Sequence, residues 1–313
     1  MLLALKMTRN TPNIPDGFRR RYQPLVDDPE AFLAAMQRPL TNSFRINRLK
    51  ATSAEVLPRF EEYGIMTQAV SWYDEAFTTT SEVVSVTLER FLGKVCLQEL
   101  ASMLPPLVIA DKLGTAKRVL DGCAAPGSKT TQMAALMNNR GLLVANDSNY
   151  DRIRALKFNL NRAGVLNSVI TEEDLRTFPQ SEFDVVLLDA PCSSEGMMRK
   201  NPLLWKRWSE HRIRTWSGLQ KQLILKAFDL LASGGTLLYS TCTIAPEENE
   251  TVIDWLLQNR PAKTEPIEMN GFTFSPALPE WLGTTFDNRC AAAVRVWPHH
   301  NDTGAFFLAR VSK

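Results

Sequence analysis

The segment Arg118-Val119-Leu120-Asp121-Gly122-Cys123-Ala124-Ala125-Pro126-Gly127-Ser128-Lys129-Thr130 decides the fold. It begins as a strand over Arg118–Asp121, passes through a turn of small residues, and enters a helix from Ser128 to about Met137. A strand, small turn and helix in succession let a ligand approach backbone N–H groups closely. The glycine spacing is not GxGxxG, so the dinucleotide fingerprint fails. Downstream the rhythm repeats. Leu142–Asn146 reads as a second strand. The helix after it is expected to be capped by Ser148, with Asp151 three residues later. Ile153, Leu156 and Leu160 share one face, and Gly164 stops it. Ser168–Thr171 is a third strand, Asp184–Asp189 a fourth and Thr236–Ser240 a fifth. Helices are expected over Leu219–Leu231 and Glu247–Leu257. Ala291–Trp297 and Ala305–Val311 flank a polar turn and predict an antiparallel hairpin. Strands alternating with helices predict an α/β fold with a doubly wound, mainly parallel sheet.

Residues 1–105 do not continue this rhythm. A strand at Ser43–Asn47, a helix over Ser53–Tyr63 and a strand over Met66–Trp72 predict a small α+β module. The boundary is expected near Pro105-Pro106, leaving 106–313 as the larger domain. With 313 residues, 44% hydrophobic and 22% charged, the chain is of ordinary globular composition, which excludes disordered, collagen-like and coiled-coil classes. Its apolar runs, such as Val185–Leu188, are too short for a bilayer, and Met1–Leu5 lacks the marks of a secretory signal. A cytoplasmic protein without membrane contact is expected, as a monomer. The net charge of +2 is unevenly spread: residues 1–50 hold nine Lys/Arg against four acids. Such a lobe suits a polyanion or is simply a solvated basic face, and charge alone does not separate the two. The five cysteines are scattered without a CxxC pair, and the histidines are His211, His299 and His300. Neither a metal site nor a disulfide framework is expected.

Asp147 ends the second strand, where it can bind ribose hydroxyls, and Asp174 follows the third, where it can receive an adenine amino group. Each alone reads equally well as a helix cap or a solvated loop residue. Together they fit an adenosine without a pyrophosphate, as in S-adenosylmethionine. The fourth strand ends in Asp189-Ala190-Pro191-Cys192 and the fifth in Thr241-Cys242-Thr243. Carboxyl ends of adjacent parallel strands border the ligand crevice, so two thiols and a carboxylate should meet there. A lone cysteine is usually a small buried hydrophobe, the reading given to Cys96, Cys123 and Cys290. Two thiols beside an Asp suit methylation of cytosine carbon 5. A thiolate adding at carbon 6 makes carbon 5 nucleophilic, and a base must later take the carbon 5 proton so that the thiolate can leave.

The motifs DGCAAPGSKTTQ, DAPCSSEG and YSTCTIAPEENE resemble the Sun-type RNA (cytosine-5) methyltransferases, in particular their RsmF-like bacterial and archaeal branch. Phe44-Arg45-Ile46-Asn47, Leu97–Met103, Arg295–His299 and Gly304–Phe307 extend the likeness to about residues 40–313. The resemblance implies a class I, Rossmann-like methyltransferase domain closed by the terminal hairpin, with the N-terminal module binding RNA. It implies Cys242 as nucleophile, Cys192 assisting release, and Asp189 at the cytosine edge. Asp147 and Asp174 would hold ribose and adenine. Cys123, Ala124, Ala125, Pro126, Gly127 and Ser128 would surround the methionine part, with Lys129 near the reaction and Arg152 on the cofactor side. The partner implied is structured RNA, tRNA or rRNA. Arg19, Arg20, Arg21, Arg45, Arg199 and Lys200 are expected at its backbone, whereas Trp205, Trp208 and Trp216 are expected to pack.

Two departures stand out. Ser194 occupies a position where many members have Gly, which strains the loop if φ is positive there. The chain ends at Lys313, where many relatives continue into a further RNA-binding domain. The short chain leans toward tRNA, the motif wording toward rRNA. Rival readings are a DNA cytosine-5 methyltransferase, which leaves the Thr241-Cys242 motif unexplained, and an idle RNA-binding or assembly factor.

Overall fold

The computed structural model describes residues 14–313. Met1–Leu5, Lys6 and Arg9 lie outside the described residues. The described chain opens with α1 (Asp16–Tyr22) and α2 (Pro29–Gln37). Asp28 caps α2 by accepting from the Ala31 N–H, and Pro29 sits where a helix needs no donor. A four-stranded antiparallel sheet follows, from β1 (Asn42–Ile46), β2 (Gln68–Ala69), β3 (Ala76–Thr79) and β4 (Val95–Leu97), in the order β2-β3-β1-β4. Between its strands run α3 (Ser53–Glu62) and the short α4 (Leu88–Phe91). Thr52 and Glu55 form a capping box for α3, which buries Val56 and Phe60 against Phe44, Ile46 and Phe77. The strand expected over Met66–Trp72 shrinks to two paired residues, because backbone bonds from Tyr73 to Val70 and from Val70 to Ala76 turn the chain into a tight loop.

Pro105 and Pro106 lie buried inside α5 (Leu104–Val108), which continues into α6 (Ala110–Leu113). Then come β5 (Arg118–Asp121), α7 (Ser128–Leu136), β6 (Leu142–Asn146), α8 (Tyr150–Ala163), β7 (Ser168–Thr171) and β8 (Phe183–Asp189). They are followed by α9 (Glu210–Asp229), β9 (Leu231–Thr241) and α10 (Glu250–Asn259). The five strands are parallel, in the order β7-β6-β5-β8-β9. The chain closes with β10 (Lys263–Glu265), β11 (Ser275–Pro276), the ribbon of β12 (Glu280–Trp281) and β13 (Thr284–Thr285), β14 (Val294–Val296), α11 (Pro298–Asn301) and β15 (Phe306–Ser312). β15 pairs antiparallel with β9, and β14 pairs antiparallel with β15 on its far side. This is the class I methyltransferase arrangement, and the hairpin expected from sequence forms.

The parallel strands are apolar on both faces because helices cover both. Along β8, Val186 and Leu188 join the core shared with Ile224 and Phe228 of α9 and Ile253 of α10. Val185 and Leu187 face the opposite core, with Met133 of α7 and Leu156 and Leu160 of α8. Each such side chain contributes about 1.5–3 kcal/mol by leaving water. The strand order reverses between the parallel β5 and β8, which opens a crevice at their carboxyl ends. Phe18, Tyr22 and Phe32 of the first two helices pack on Met198, Trp205, Ile244 and Trp297. These helices therefore cover the loops beyond β8 and β9, not the small sheet.

Two local expectations need correction. Asn149, not Ser148, caps α8, its side chain accepting from the Arg152 N–H at 3.0 Å. α9 starts at Glu210, well before the expected Leu219, with Ser209 as its cap. Its polar first half is helical because Ile213, Ser217 and Gln220 are buried beneath the loops that follow β8 and β9.

Candidate active site

The register of β8 and β9 sets Asp189 opposite Ser240, so the loops beyond them leave the sheet side by side. The Gly196 N–H donates to the Cys242 carbonyl at 2.9 Å. Gly196 also lies so close to the Ala305 carbonyl that an added Cβ would come within 2.1 Å of its oxygen. Held this way, the Cys192 and Cys242 sulfurs approach to 3.4 Å. Ser194 has φ +64°, the left-handed conformation that a Gly there would adopt freely. A serine costs about 1–2 kcal/mol in that region, partly offset by its hydroxyl donating to the Cys192 carbonyl at 3.3 Å.

Two buried carboxyl groups bolt the loops together. Glu248 accepts from the Ser193 N–H at 3.0 Å and the Gln220 amide at 2.9 Å. Glu195 accepts from the Thr243 hydroxyl at 2.9 Å and the Ile244 N–H at 3.1 Å. Its other oxygen takes the Tyr22 hydroxyl at 2.7 Å and the Trp208 indole N–H at 2.6 Å. Burial pushes Glu248 up to about 7 and raises Glu195 as well. Both residues stand inside the sequence motifs, but a role as crosslinks depends on partners that the motifs do not contain.

On the other side of the crevice, Gly127 has φ +102° and turns the chain from β5 into α7. That turn delivers Lys129, whose ammonium donates to Asp189 at 2.7 Å and to the Ser102 hydroxyl at 3.1 Å. The ammonium also stands 5.3 Å from the centre of the Phe306 ring. The second Asp189 oxygen accepts from the Ser240 hydroxyl at 2.8 Å. Burial alone would lower the Lys129 pKa, but Asp189, Cys242 and Asp121 outweigh it and the net shift is upward. Lys129 is therefore a cation at neutral pH. The hydrogen bond to Cys242, together with burial, pushes the Cys192 thiol far above its usual range. Either sulfur of the pair can be the donor, and at neutral pH Cys192 keeps its proton. Ser102, Ser240 and Phe306 carry no signal of this role in the sequence, since each becomes relevant only through Lys129 or Asp189.

Two cavities meet at these residues. One, of about 320 Å³, is lined by Lys129, Asp189, Cys242 and Phe306. The other, of about 470 Å³, is lined by Asn146, Asp147, Arg152, Asp174, Asp189 and Cys192. Cys123, Ala125 and Pro126 belong to both. Ala124 is buried in the turn and Ser128 lines the first cavity. Asp147 is almost fully buried and accepts from the Ala125 N–H at 3.1 Å and the Asn149 N–H at 3.1 Å. Arg152 bonds the Ala125 carbonyl and lies 3.4 Å from Asp147. Asp174 caps the turn after β7 and is paired with Arg176, yet it still faces the larger cavity. Asp121, at the end of β5, is raised to about 7 by burial, and one of its oxygens has no partner. Acids at successive strand ends around a cavity, with an orphaned buried oxygen among them, fit a cationic adenosine-bearing cofactor. Burial also raises the Cys123 thiol, which suits a wall residue and not a nucleophile.

The expected RNA-contacting cations divide. Arg45 is fully buried, donating to Gln98 at 2.9 Å and Thr131 at 2.7 Å, and so clamps the small sheet to α7. Arg199 is 3% exposed and bonds the Arg38 and Thr303 carbonyls and Asp302. Arg21 is paired with Glu247 and lies 4.9 Å from the Trp281 ring. These three have exchanged water for protein partners, so the phosphate contacts expected of them do not fit their places. Arg19 is half-buried, bonding the Ile14 carbonyl, whereas Arg20 and Lys200 are exposed. Trp205 is buried and Trp208 is tied to Glu195, as packing predicts, but Trp216 lines the larger cavity. His299 and His300 meet Asp27 at 2.9 and 3.0 Å, which joins the start of the described chain to its closing hairpin. Among the described residues this is the group whose ligand types and spacing could hold a metal, and counting histidines along the sequence missed it.

No helix of the described residues is long and apolar enough to cross a membrane. A family model described as 16S rRNA methyltransferase RsmB/F matches residues 109–312. The chain is 43% identical over 298 residues to a tRNA (cytosine(49)-C(5))-methyltransferase of Pyrococcus abyssi, covering 94% of each. It is 38% identical over 318 residues to ribosomal RNA small subunit methyltransferase F of Escherichia coli, covering 98% of this chain and 65% of that one. A methyltransferase homologue from Pyrococcus horikoshii superposes with a TM-score of 0.80 at 34% identity, covering 92% of this chain and 91% of that one. With the fold, the paired thiols and the acid-lined crevice in agreement, the chain belongs to the RsmB/F family of S-adenosylmethionine-dependent RNA (cytosine-5) methyltransferases.

Proposed function

We propose that this enzyme methylates carbon 5 of a cytosine in tRNA through a covalent adduct on Cys242. The observation that carries the mechanism is the 3.4 Å approach of Cys192 and Cys242 beside the Lys129–Asp189 pair. S-adenosylmethionine, held by Asp147, Asp174, Arg152 and the turn from Cys123 to Ser128, supplies an electrophilic methyl group. The target cytosine, splayed out of its helix, enters the cavity of Lys129 and Cys242. The Cys242 thiolate forms a bond to carbon 6, and the displaced electron pair moves into the ring toward carbon 5 and N3. The Lys129–Asp189 pair stands at the N3/N4 edge, where that negative charge is stabilised. Methyl transfer to carbon 5 would break the sulfonium carbon–sulfur bond and leave the cofactor as the neutral thioether S-adenosylhomocysteine; the carbon 5 proton must then leave and the carbon 6–sulfur bond must break. Cys192 is placed for that step, directly or through a water. Once Cys242 is a thioether it no longer raises the pKa of its neighbour, so Cys192 can pass its proton to water and then take the carbon 5 proton, whose electron pair re-forms the carbon 5–carbon 6 double bond and expels the Cys242 thiolate.

The higher identity to a tRNA enzyme supports tRNA as the substrate. Action as a monomer in the cytoplasm belongs to the same reading. Methyl transfer from labelled cofactor to purified tRNA, ribosomal RNA and DNA tests it, with bisulfite sequencing to locate the cytosine. Label in ribosomal RNA alone reassigns the target, and label in DNA alone overturns the RNA reading.

A further inference from the structure

A third concavity, of about 330 Å³, opens beside the reaction cavity, and no step of the proposed chemistry uses it. Its size is at the low end for small-ligand sites. Its accessible apolar surface comes from the 40%-exposed Leu97 and the partly exposed Leu40, with Phe44 and Val84 buried behind them. Leu97, Gln98, Glu99 and Lys200 line both this hollow and the cavity that holds Lys129 and Cys242. The end of β4 is thus the partition between them. That partition is rigid and chemically spent. Gln98 is bonded to Arg45, Ser102 and Gln132. Glu99 accepts from the Ser102 N–H at 3.0 Å and the Gly304 N–H at 2.9 Å. Asn42, Glu82 and Lys200 differ: all three are exposed, and their side chains are outside the hydrogen bonds and ion pairs of the described residues.

We propose that this concavity is the subsite for the nucleotide next to the target cytidine in the same RNA strand. Its base lies against Leu97 and Leu40, and Lys200 holds the linking phosphate. The inference rests on the RNA reading above and adds to it where a second nucleotide goes. A cytosine drawn out of its helix pulls its backbone neighbours with it, so an adjacent base needs a surface close by. A base has apolar faces and polar edges, which match an apolar wall with a polar rim. The strand passing from one hollow to the other crosses at Lys200, where a cation is exposed. Glu82 offers only acceptors, so the subsite favours a base whose exocyclic amino group presents two donor hydrogens over uracil, whose single donor is its ring N3–H.

Single-turnover methylation of structured RNAs, with each nucleotide flanking the target varied in turn, tests this. Wild-type enzyme should prefer an amino-bearing base over uracil at one flank by about 5- to 100-fold. Glu82→Gln, whose amide both donates and accepts, should erase the preference. Asn42→Ala should weaken it, and Lys200→Gln should slow every RNA alike. Equal rates for all flanking bases, or a preference that survives Glu82→Gln in a variant with normal melting, sinks the subsite. Absence of methylation on every RNA with wild-type enzyme defeats the functional reading as well.

Discussion

Replacing Cys192 by alanine should leave the first half of the reaction intact and stall the second. Among the described residues, the side chain hydrogen-bonded to the Cys242 sulfur is Cys192, at 3.4 Å. The histidines offer no substitute: His211 is exposed on α9, and His299 and His300 are engaged with Asp27. Cys192→Ala therefore removes the acid–base group in contact with the Cys242 sulfur, and such groups contribute ~10²–10⁴ in rate. Release should slow by that factor, while attack at carbon 6 and methyl transfer continue. RNA should then accumulate on Cys242 toward one adduct per enzyme. End-labelled RNA incubated with enzyme and cofactor, then run on a denaturing gel, should show a slow-migrating band, and peptide mass mapping should place it on Cys242. Cys242→Ala and the double variant should show none. A band in Cys242→Ala but not in Cys192→Ala would falsify the assignment and point to the DNA-type arrangement. No band in either folded single variant reduces both thiols to structural roles.

Four further outcomes follow from the geometry. Asp147→Ala should weaken S-adenosylmethionine binding by about 1–3 kcal/mol as charge-assisted hydrogen bonds disappear, and unchanged affinity by calorimetry removes Asp147 from the site. Lys129→Met, which keeps the length but not the charge, should lower kcat about 10- to 100-fold, from the ~1.5–3 kcal/mol of a hydrogen bond to a charged group. Glu248 has a folded pKa raised from 4.5 to about 7, so the folded state binds its proton more tightly than the unfolded state does. Its contribution to stability is therefore full below about pH 4.5 and is lost as pH rises to about 7, a change of about 3 kcal/mol that Glu248→Gln should remove from a pH series of melts. Neutralising Arg20 and Lys200 together should flatten the salt dependence of RNA affinity, by about one unit of slope for each phosphate that is no longer neutralised, and an unaltered slope places the RNA backbone elsewhere.

Sequence alone was enough for the alternation of strand and helix from Arg118 onward, because hydrophobic periodicity, Gly164 at a helix end and the small-residue turn after Asp121 are local signals. It was also enough to expect Cys192, Cys242 and Asp189 at one place. In a parallel sheet all carboxyl ends lie on one edge, so two motifs that end adjacent strands converge without any knowledge of packing. The limits appear where a side chain's role depends on a partner distant in sequence. Arg45, Arg199 and Arg21 carry the same charge as Arg20 and Lys200. Only the folded chain sets Arg199 against Arg38, 161 residues away, and Arg45 against Thr131, 86 residues away. A guanidinium that gains several protein acceptors offsets its desolvation and becomes a clamp, whereas one left in water remains free for phosphate. Glu195 and Glu248 follow the same logic in reverse. Their carboxyl groups are crosslinks because the loops beyond β8 and β9, with Tyr22 from the opposite end of the chain, close over them and exclude water. Periodicity reports which face of an element is buried, but the partner met there is a property of the tertiary fold.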